Sequence, residues 1–435
     1  MAFKIGLLGL GTVGSGTADI ILHPEGRHPL LKEITLHQIG VRSLTKKRNI
    51  DVPPSLLTTD LEAIVTNPEI DIVVELIGGL EPARSLILKA IAHGKHVVTA
   101  NKAVIARYGR EIFAAANRAN VYVLLEAAVG GGIPIVEPLK QSLGANRFRN
   151  IIGIVNGTTN YILTEMTQKG ADFSSVLATA QKLGYAEADP TADVEGYDAA
   201  DKIAILASLA FGCYLKREEV YCEGITKITS SDINYADKLG FVIKLLAIAS
   251  FPDHQQADEN APLQVRVHPT LVPKSHPLAS VNGVNNAILV EGDPLGQVMF
   301  YGPGAGSGPT ASAVVADIMN IVGVLATNPQ PSRLDALLSY APQGEREISP
   351  ISEVYTRFYA RFLCEDVPGV IGHLGTAFGR ANVSLESVVQ IGLVDELAEI
   401  VVVTHHVREG DFRKAISDIQ GIEAIKSVAN IIRVL

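Results

Sequence analysis

The sequence predicts an α/β chain: an N-terminal doubly wound parallel sheet of Rossmann type, an α+β middle, and a small C-terminal ferredoxin-like sandwich. Three observations predict it. From Phe3 to about Ala128 short apolar runs alternate with amphipathic stretches, the rhythm of strand–helix–strand units around a parallel sheet. Gly9-Leu10-Gly11-Thr12-Val13-Gly14 stands where the first strand gives way to the first helix. The tail from Val354 reads strand, helix, strand, strand, helix, strand.

In order, the pattern predicts strands at 3–8, 35–41, 70–76, 96–99 and 121–126, with helices at 12–22, 82–93 and 107–119 between them. The last two helices run into Gly94 and Asn120, residues suited to a helix C-terminus. Past Gly130-Gly131-Gly132 the texture changes to longer helices, 173–183, 199–211 and 235–250, mixed with strands at 263–267 and 287–290. Gly302-Pro303-Gly304-Ala305-Gly306 reads as a tight loop opening a helix at 310–322 that returns to the first domain. The stretches 328–332 and 341–350 carry prolines and charge without periodicity, which suits a linker. Strands at 355–363, 384–391, 398–405 and 425–434 and helices at 368–380 and 411–420 complete the tail. The expected boundaries are therefore 1–130, 131–325, a linker at 326–353, and 354–435.

At 435 residues the chain exceeds one ordinary core. The longest uncharged apolar run, 203–215, has 13 residues, short of the roughly 18 to 20 that span a bilayer. The N-terminus enters the glycine motif at once, leaving no room for a signal peptide, so a cytoplasmic protein is expected. A net charge of −9 without a basic run argues against nucleic acid as a partner. Three cysteines without a Cys-x-x-Cys spacing indicate neither a disulfide framework nor a zinc site.

The glycine motif supplies the first chemistry. Gly9, Gly11 and Gly14, with Thr12 and Val13 between them, permit a tight turn and close approach of a pyrophosphate to the positive end of a helix. The second strand ends Gly40-Val41-Arg42-Ser43, with Lys46 and Lys47 close behind, where an NAD-selective site would place an acid. Such a cationic end prefers the 2′-phosphate of NADP(H) over NAD(H); a solvated basic loop is the alternative. The fourth strand ends Val97-Val98-Thr99-Ala100-Asn101-Lys102, placing Thr99 and Lys102 outside the carboxyl edge of the sheet, where open α/β folds bind ligands.

The most specific stretch, residues 180–202, reads AQKLGYAEADPTADVEGYDAADK and contains Gly184, Glu187, Asp193, Asp198 and Lys202. Asp198 and Lys202 are four apart, so a helix starting near Asp198 presents an anion and a cation on one face. A surface ion pair would explain that spacing alone. The continuation Ile203-Ala204-Ile205-Leu206-Ala207 is too apolar for an exposed helix, which favours a charged first turn bordering a cleft.

That stretch, with GLGTVG at the start and TANKA around Lys102, resembles homoserine dehydrogenase over roughly residues 3–325, and the tail resembles an ACT domain. The resemblance implies an NADP(H)-dependent interconversion of L-homoserine and L-aspartate 4-semialdehyde in threonine, methionine and isoleucine biosynthesis. It implies Lys202 as proton donor with Lys102 beside it, and Glu187 and Asp198, with Gly184 and Asp193 nearby, as the substrate's holders. By the same resemblance, Glu126, Val129, Gly131 and Ile133 carry a loop for a monovalent cation, sodium by preference, and Gly306 closes on the cofactor; a dry glycine turn would also fit the first sequence and a glycine-rich helix entry the second. In the tail, Asp366, Gly369, Val370 and Asn382 match ACT positions that bind an amino acid between paired copies, with L-threonine the expected effector and a homodimer or homotetramer the expected assembly. No kinase-like stretch precedes Met1, so a fused aspartokinase activity is not expected. Two other readings compete. A thioester-forming semialdehyde dehydrogenase needs a catalytic cysteine in a suitable motif, and none is present. A silent metabolite sensor has no use for the Lys102, Asp198 and Lys202 set.

Overall fold

The computed structural model describes residues 2–435 except 49, 253–260, 329–332, 341–343 and 395. The predicted linker thus lies partly outside the described residues. Compactness divides the chain into two units of three stretches each: Met1–Phe148, Asp201–Arg217 and Asn286–Glu345 in the first, Arg149–Ala200, Glu218–Asn285 and Arg346–Leu435 in the second.

The first unit is built on β1 (Phe3–Leu8), α1 (Thr12–Leu22), β2 (Ile34–Gly40), β3 (Leu57–Thr58), α2 (Leu61–Thr66), β4 (Ile72–Glu75), α3 (Ala83–Ala92), β5 (His96–Thr99), α4 (Lys102–Ala119) and β6 (Val123–Leu124). The strands pair in parallel in the order β3-β2-β1-β4-β5-β6. Strand order therefore reverses beside β1, and ligands of such sheets lie in the crevice outside the carboxyl ends at that point. The strands are short and apolar because helices cover both faces; Ile5, Leu7, Val74 and Val98 are fully buried.

One layer comes from far along the chain. The helix Ser307–Thr327 lies in the same apolar cluster as α1, joining Val314, Ile318 and Ile321 to Ala18 and Ile21. Gly16 permits that approach, since a Cβ there would stand 2.9 Å from the Ala311 Cβ and from the Ser307 carbonyl oxygen. By length and composition this helix could cross a bilayer. Its packing against α1 and the burial of Asp317 at its middle are those of a core helix.

The second unit carries a mixed sheet. Its strands run Arg147–Ile154, Phe241–Ser250, Gln264–Pro273, Ile425–Val434, Tyr355–Cys364, Leu397–Thr404 and Leu385–Val394 across the sheet. The last four, with the helices Val370–Arg380 and Glu409–Gln420, form the ferredoxin-like βαββαβ tail. The two helices cover one face, burying Phe358, Phe362, Phe378 and Phe412; the Phe358 and Phe412 rings stack with centroids 4.0 Å apart. The tail is not a separate sheet. Ile425–Val434 pairs in parallel with Gln264–Pro273 through Thr270 with Arg433 and Leu271 with Val434, and the Leu435 amide donates to the Leu271 carbonyl at 2.9 Å.

Several local expectations need correction. The span 235–250 is not one helix: Ser230–Lys238 is helical, Gly240 turns at φ +84°, and Phe241–Ser250 is a strand paired along its length with Gln264–Pro273. A strand buried on both faces is apolar along most of its length, here with Lys244 and Ser250 buried as well, and carries no period to separate it from a helix. Helix α4 begins at Lys102 rather than 107, because Asn101 caps it through its side chain. The strand expected at 121–126 is only Val123–Leu124, since Glu126–Ala128 turn as a 3-10 helix. Gly302 and Pro303 end a strand, Gly296–Pro303, so the loop is shorter than expected, and its helix runs Ser307–Thr327. The strand Arg147–Ile154 and the helix Gly157–Lys169 were not anticipated.

The described part of 326–353 is stitched down. Asp335 N donates to the Tyr122 hydroxyl at 2.8 Å and Lys140 Nζ to the Leu338 carbonyl at 2.7 Å. Farther on, Leu263 N donates to Glu347 O at 2.8 Å and Ser349 N to Leu263 O at 2.9 Å.

Candidate active site

The glycine loop between β1 and α1 uses each glycine differently. Gly9 adopts φ +104°, and a Cβ there would meet the Leu76 carbonyl oxygen at 2.8 Å; a Cβ on Gly14 would lie 2.1 Å from the Gly9 carbonyl oxygen. Both are demanded by the protein's own backbone. Gly11 is different: nothing lies within 4 Å of where its Cβ would be. It leaves room for an outside group to reach the first amides of α1, which suits a pyrophosphate. A cleft of about 530 Å³ opens there, bordered by Gly11, Thr12, Ser15, Lys46, Lys47 and Arg48. Arg42 does not border it. Arg48, which sequence reasoning passed over, does; its guanidinium donates to the Lys46 carbonyl at 2.9 Å and to that of Ser43, folding the basic loop back on itself. Ser307 closes the far side through a 2.7 Å bond from its hydroxyl to the Thr12 carbonyl.

Beside this loop, the fully buried Glu75 at the end of β4 organises the carboxyl edge of the sheet. One carboxylate oxygen accepts from the amides of Ile77 and Gly78 at 3.0 and 3.1 Å; the other accepts from the Thr99 hydroxyl at 2.6 Å. Thr99 in turn accepts from the Asn101 amide at 3.0 Å, and Asn101 both caps α4 at Val104 N and donates to Gly79 O at 2.7 Å. Thr99 therefore serves to fix the turn that presents Lys102. The signal for Glu75 was an acid closing the apolar run Ile72-Val73-Val74.

Lys102 is the first residue of α4, at the positive end of a helix dipole, a placement that a structural role does not favour. Arg107, five residues on, reaches Asp201 Oδ1 at 3.3 Å while donating to the Ala103 carbonyl at 3.2 Å. That ion pair ties the helix begun by Lys102 to the residue next to Lys202. Lys202 is 9% exposed, on the helix Tyr197–Ala210, which also carries Asp198 one turn earlier.

In the second unit the acidic turn is assembled by a residue missing from the sequence reading. Asn156 precedes the helix Gly157–Lys169; its Oδ1 accepts from Thr159 N at 2.8 Å and from the Thr159 hydroxyl at 2.9 Å. Its Nδ2 then donates to both Asp193 Oδ1 at 2.7 Å and Asp198 Oδ2 at 2.8 Å. Gly184 turns at φ +76°; Thr158 holds the neighbouring Tyr185 carbonyl at 2.6 Å, and Gln181 holds that of Glu187 at 3.0 Å. The Glu187 carboxylate is left exposed by this arrangement.

The predicted cation loop packs against the loop before Ser307. A Cβ on Gly131 would lie 2.5 Å from the Gly304 carbonyl, and Gly132 N donates to Pro303 O at 3.1 Å. The Glu126 side chain caps the short helix Val136–Lys140, accepting from the amides of Ile135, Val136 and Glu137 at 2.6, 2.9 and 2.7 Å. Any ion there would meet backbone carbonyls rather than that carboxylate. Burial pushes the Glu126 carboxyl upward, and pushes Asp317, whose Oδ2 accepts from Glu126 N at 2.8 Å, well above the usual carboxylate range. In the tail, Gly369 turns at φ +96° to start the helix at Val370, Asn382 adopts φ +59°, and Asp366 accepts from Gln390 at 3.4 Å.

Two buried ion-pair clusters join the tail to the rest of the second unit. Arg361 pairs with Asp232 at 2.8 Å and Glu399 at 2.7 Å. Arg433 pairs with Glu409 at 2.6 Å and Glu223 at 2.9 Å.

With this geometry in place, the comparisons with known proteins agree from end to end. The homoserine dehydrogenase family profile matches residues 134–319, its NAD binding domain profile residues 9–126, and an ACT domain profile residues 358–424. A homoserine dehydrogenase from Synechocystis is 67% identical over 435 residues, with both chains covered fully, and one from Pseudomonas aeruginosa is 44% identical, covering 99% of this chain and 98% of that one. The crystal structure of a Thiobacillus denitrificans homoserine dehydrogenase superposes with a TM-score of 0.91 at 43% identity, covering 100% of this chain and 98% of that one. A hyperthermophilic archaeal homoserine dehydrogenase in complex with NADPH matches with a TM-score of 0.61 at 28% identity, over 76% of this chain and 99% of that one. The chain belongs to the homoserine dehydrogenase family of oxidoreductases, with a pyridine-nucleotide-binding domain and a C-terminal ACT domain.

Proposed function

We propose that this chain interconverts L-homoserine and L-aspartate 4-semialdehyde with NADP(H) preferred over NAD(H), in the route to threonine, methionine and isoleucine. One observation carries the reading: the Arg107–Asp201 pair links the helix that Lys102 opens to the helix that holds Lys202 and Asp198. When bound, the nicotinamide supplies or accepts the hydride. The chain itself binds, orients and moves one proton. The α1 amides behind Gly9, Gly11, Thr12, Val13 and Gly14 hold the pyrophosphate, Lys46, Lys47 and Arg48 meet the 2′-phosphate, and Gly306 lies in the loop that closes on the cofactor. The Lys202 ammonium gives its proton to the aldehyde oxygen in reduction and recovers it in oxidation, with Lys102 as a second cation near the developing alkoxide. Asp198, Asp193 and Glu187 hold the substrate ammonium, and Gly184 shapes the turn that presents Glu187. The archaeal relative's NADPH supports the cofactor assignment.

An assay of NADPH oxidation with L-aspartate 4-semialdehyde tests the reading. Turnover is expected, with kcat/KM for NADPH at least about tenfold above NADH, the scale of one lost charge-assisted contact. No turnover overturns the reaction, and an NADH preference overturns the cofactor part alone. Sodium held by carbonyls near Glu126, Val129, Gly131 and Ile133 fits the oxygen chemistry a hard cation needs; activity indifferent to monovalent cations would remove it. L-Threonine at Asp366, Gly369, Val370 and Asn382, between paired copies in a homodimer or homotetramer, is the regulatory part of the proposal. It fails if millimolar L-threonine changes neither activity nor Tm.

A further inference from the structure

We propose that Asn286, a residue the sequence reading passed over, supplies a side-chain oxygen to the monovalent cation of the loop 126–133. This deepens, and rests on, the reading of that loop as a cation site. The carbonyls of Val129, Gly131 and Ile133 accept no hydrogen bond among the described residues, although all three residues are buried. The Glu126 carbonyl is already engaged, accepting from Val129 N at 3.4 Å. Asn286, near the start of the strand Asn285–Asp293, adds another open acceptor: it is 1% exposed, and its Oδ1 is buried without a hydrogen-bond partner.

Glycines bring this side chain and the loop together. A Cβ on Gly131 would stand 2.5 Å from the carbonyl carbon and oxygen of Gly304, and one on Gly304 would stand 2.0 Å from Asn286 Nδ2 and 2.6 Å from its Oδ1. The Asn286 amide therefore fills the space a side chain at 304 would need, with Gly304 as the spacer between it and Gly131. Two residues along the strand, and so on the same face, the Ile288 Cδ1 methyl lies 3.7 Å from where Gly130 would carry a Cβ. The strand thus turns positions 286 and 288 toward the loop.

Four oxygens that only accept, gathered in buried residues, are costly when nothing donates to them. One water has two hydrogens to give, too few for four acceptors. A hard cation takes such oxygens from several sides at once. Neutral carbonyls and a neutral amide suit a single charge, whereas divalent ions draw carboxylates; among the described residues no group of three or more acidic, histidine or cysteine side chains could hold a metal.

Filling space over Gly304 is the competing role, and chemistry separates the two. Asn286→Leu keeps the bulk and loses the oxygen; Asn286→Asp keeps an oxygen and adds a charge. Tm would be followed by calorimetry for the full chain and both variants as sodium chloride replaces choline chloride at constant ionic strength, and the sodium concentration giving half of the rise in Tm is the readout. The unaltered chain should gain Tm with sodium. In Asn286→Leu the half-effect concentration should rise at least about tenfold, the scale of one lost contact to a charged group. In choline chloride alone the same variant should melt no lower than the unaltered chain, because it carries no orphaned acceptor, whereas a mere space-filler offers no such compensation. In Asn286→Asp the half-effect concentration should fall at least about threefold, since ligand charge tightens cation binding. If the unaltered chain responds to sodium and both variants respond at the same concentrations, Asn286 only packs over Gly304 and the proposal is wrong. Should Asn286→Leu not fold, an unchanged half-effect concentration in Asn286→Asp overturns it alone. If the unaltered chain melts identically in the two salts, the cation reading of the loop falls, and this inference with it.

Discussion

The nucleotide loop and the acidic turn both have to hold a charged ligand, and they are built by opposite means. The loop from Gly9 to Gly14 is backbone: two glycines are required by neighbouring carbonyls, Leu76 after β4 and Gly9 in the turn, and a third stays open for what approaches. The acidic turn is side chain: one amide bridges partners 37 and 42 residues farther on. A backbone-built site is specified by consecutive residues and fails when a single methyl group is added. A side-chain-built site is specified by residues remote in sequence and is sensitive to charge. The same contrast runs through the interiors. In the first unit burial pushes Glu126 and Asp317 toward protonation despite the amides that donate to them; the second keeps Asp232, Glu399 and Glu409 beside arginines.

The largest effect that would sharpen this contrast separates binding from turnover. Lys202→Ala should lower kcat by about three to four orders of magnitude, the scale of a positioned general acid, while nucleotide Kd measured by fluorescence stays within about twofold. Turnover that survives would break the assignment. Next, Arg361→Ala strands Asp232 and Glu399 in the interior and should cost about 3–5 kcal/mol in urea denaturation. A loss below about 1 kcal/mol would show that the second unit does not depend on its arginines.

A pH experiment comes third. Burial holds His96 down at about 4, with its Nδ1 accepting from Tyr122 N at 3.0 Å. The folded value lies below the unfolded one, so the native state resists the proton; stability is complete above the unfolded pKa of about 6.5 and is lost as pH falls from there through about 4. The loss should reach roughly 2–3 kcal/mol. His96→Asn should flatten that limb in denaturation curves taken at pH 7 and pH 4.5; an unchanged limb would assign the acid sensitivity elsewhere. The smallest effect divides the glycines. Gly14→Ala forces its Cβ against the Gly9 carbonyl and should cost about 1–3 kcal/mol, whereas Gly11→Ala should leave Tm within about a degree and weaken nucleotide binding alone. Equal effects on Tm would erase the distinction between the two.

What could be read from the sequence follows the same division. The glycine motif, TANKA and the helix through Asp198 and Lys202 are local, and periodicity located β1, α1 and nearly the whole βαββαβ tail. The strand Phe241–Ser250 was missed because an element buried on both faces shows no alternation. Asn156, Glu75 and Arg48 were missed for another reason. Nothing about an asparagine before a helix says that its amide bridges two acids, and only the closure of loops tens of residues long creates that role. The arginines of the tail were equally silent, since Arg361 looks like any polar residue in a strand until Asp232 is folded against it.

The position of the final strand has a consequence for how the molecule is made. Ile425–Val434 lies between Gln264–Pro273 and Tyr355–Cys364, so the central sheet of the second unit has a gap until residues 425–434 leave the ribosome. During translation both flanking strands wait with unpaired edges, open to mispairing with neighbouring nascent chains. Residues 425–434 are thus the closing stitch of the unit. A nonsense codon ahead of Ile425 would leave two halves of one sheet unjoined.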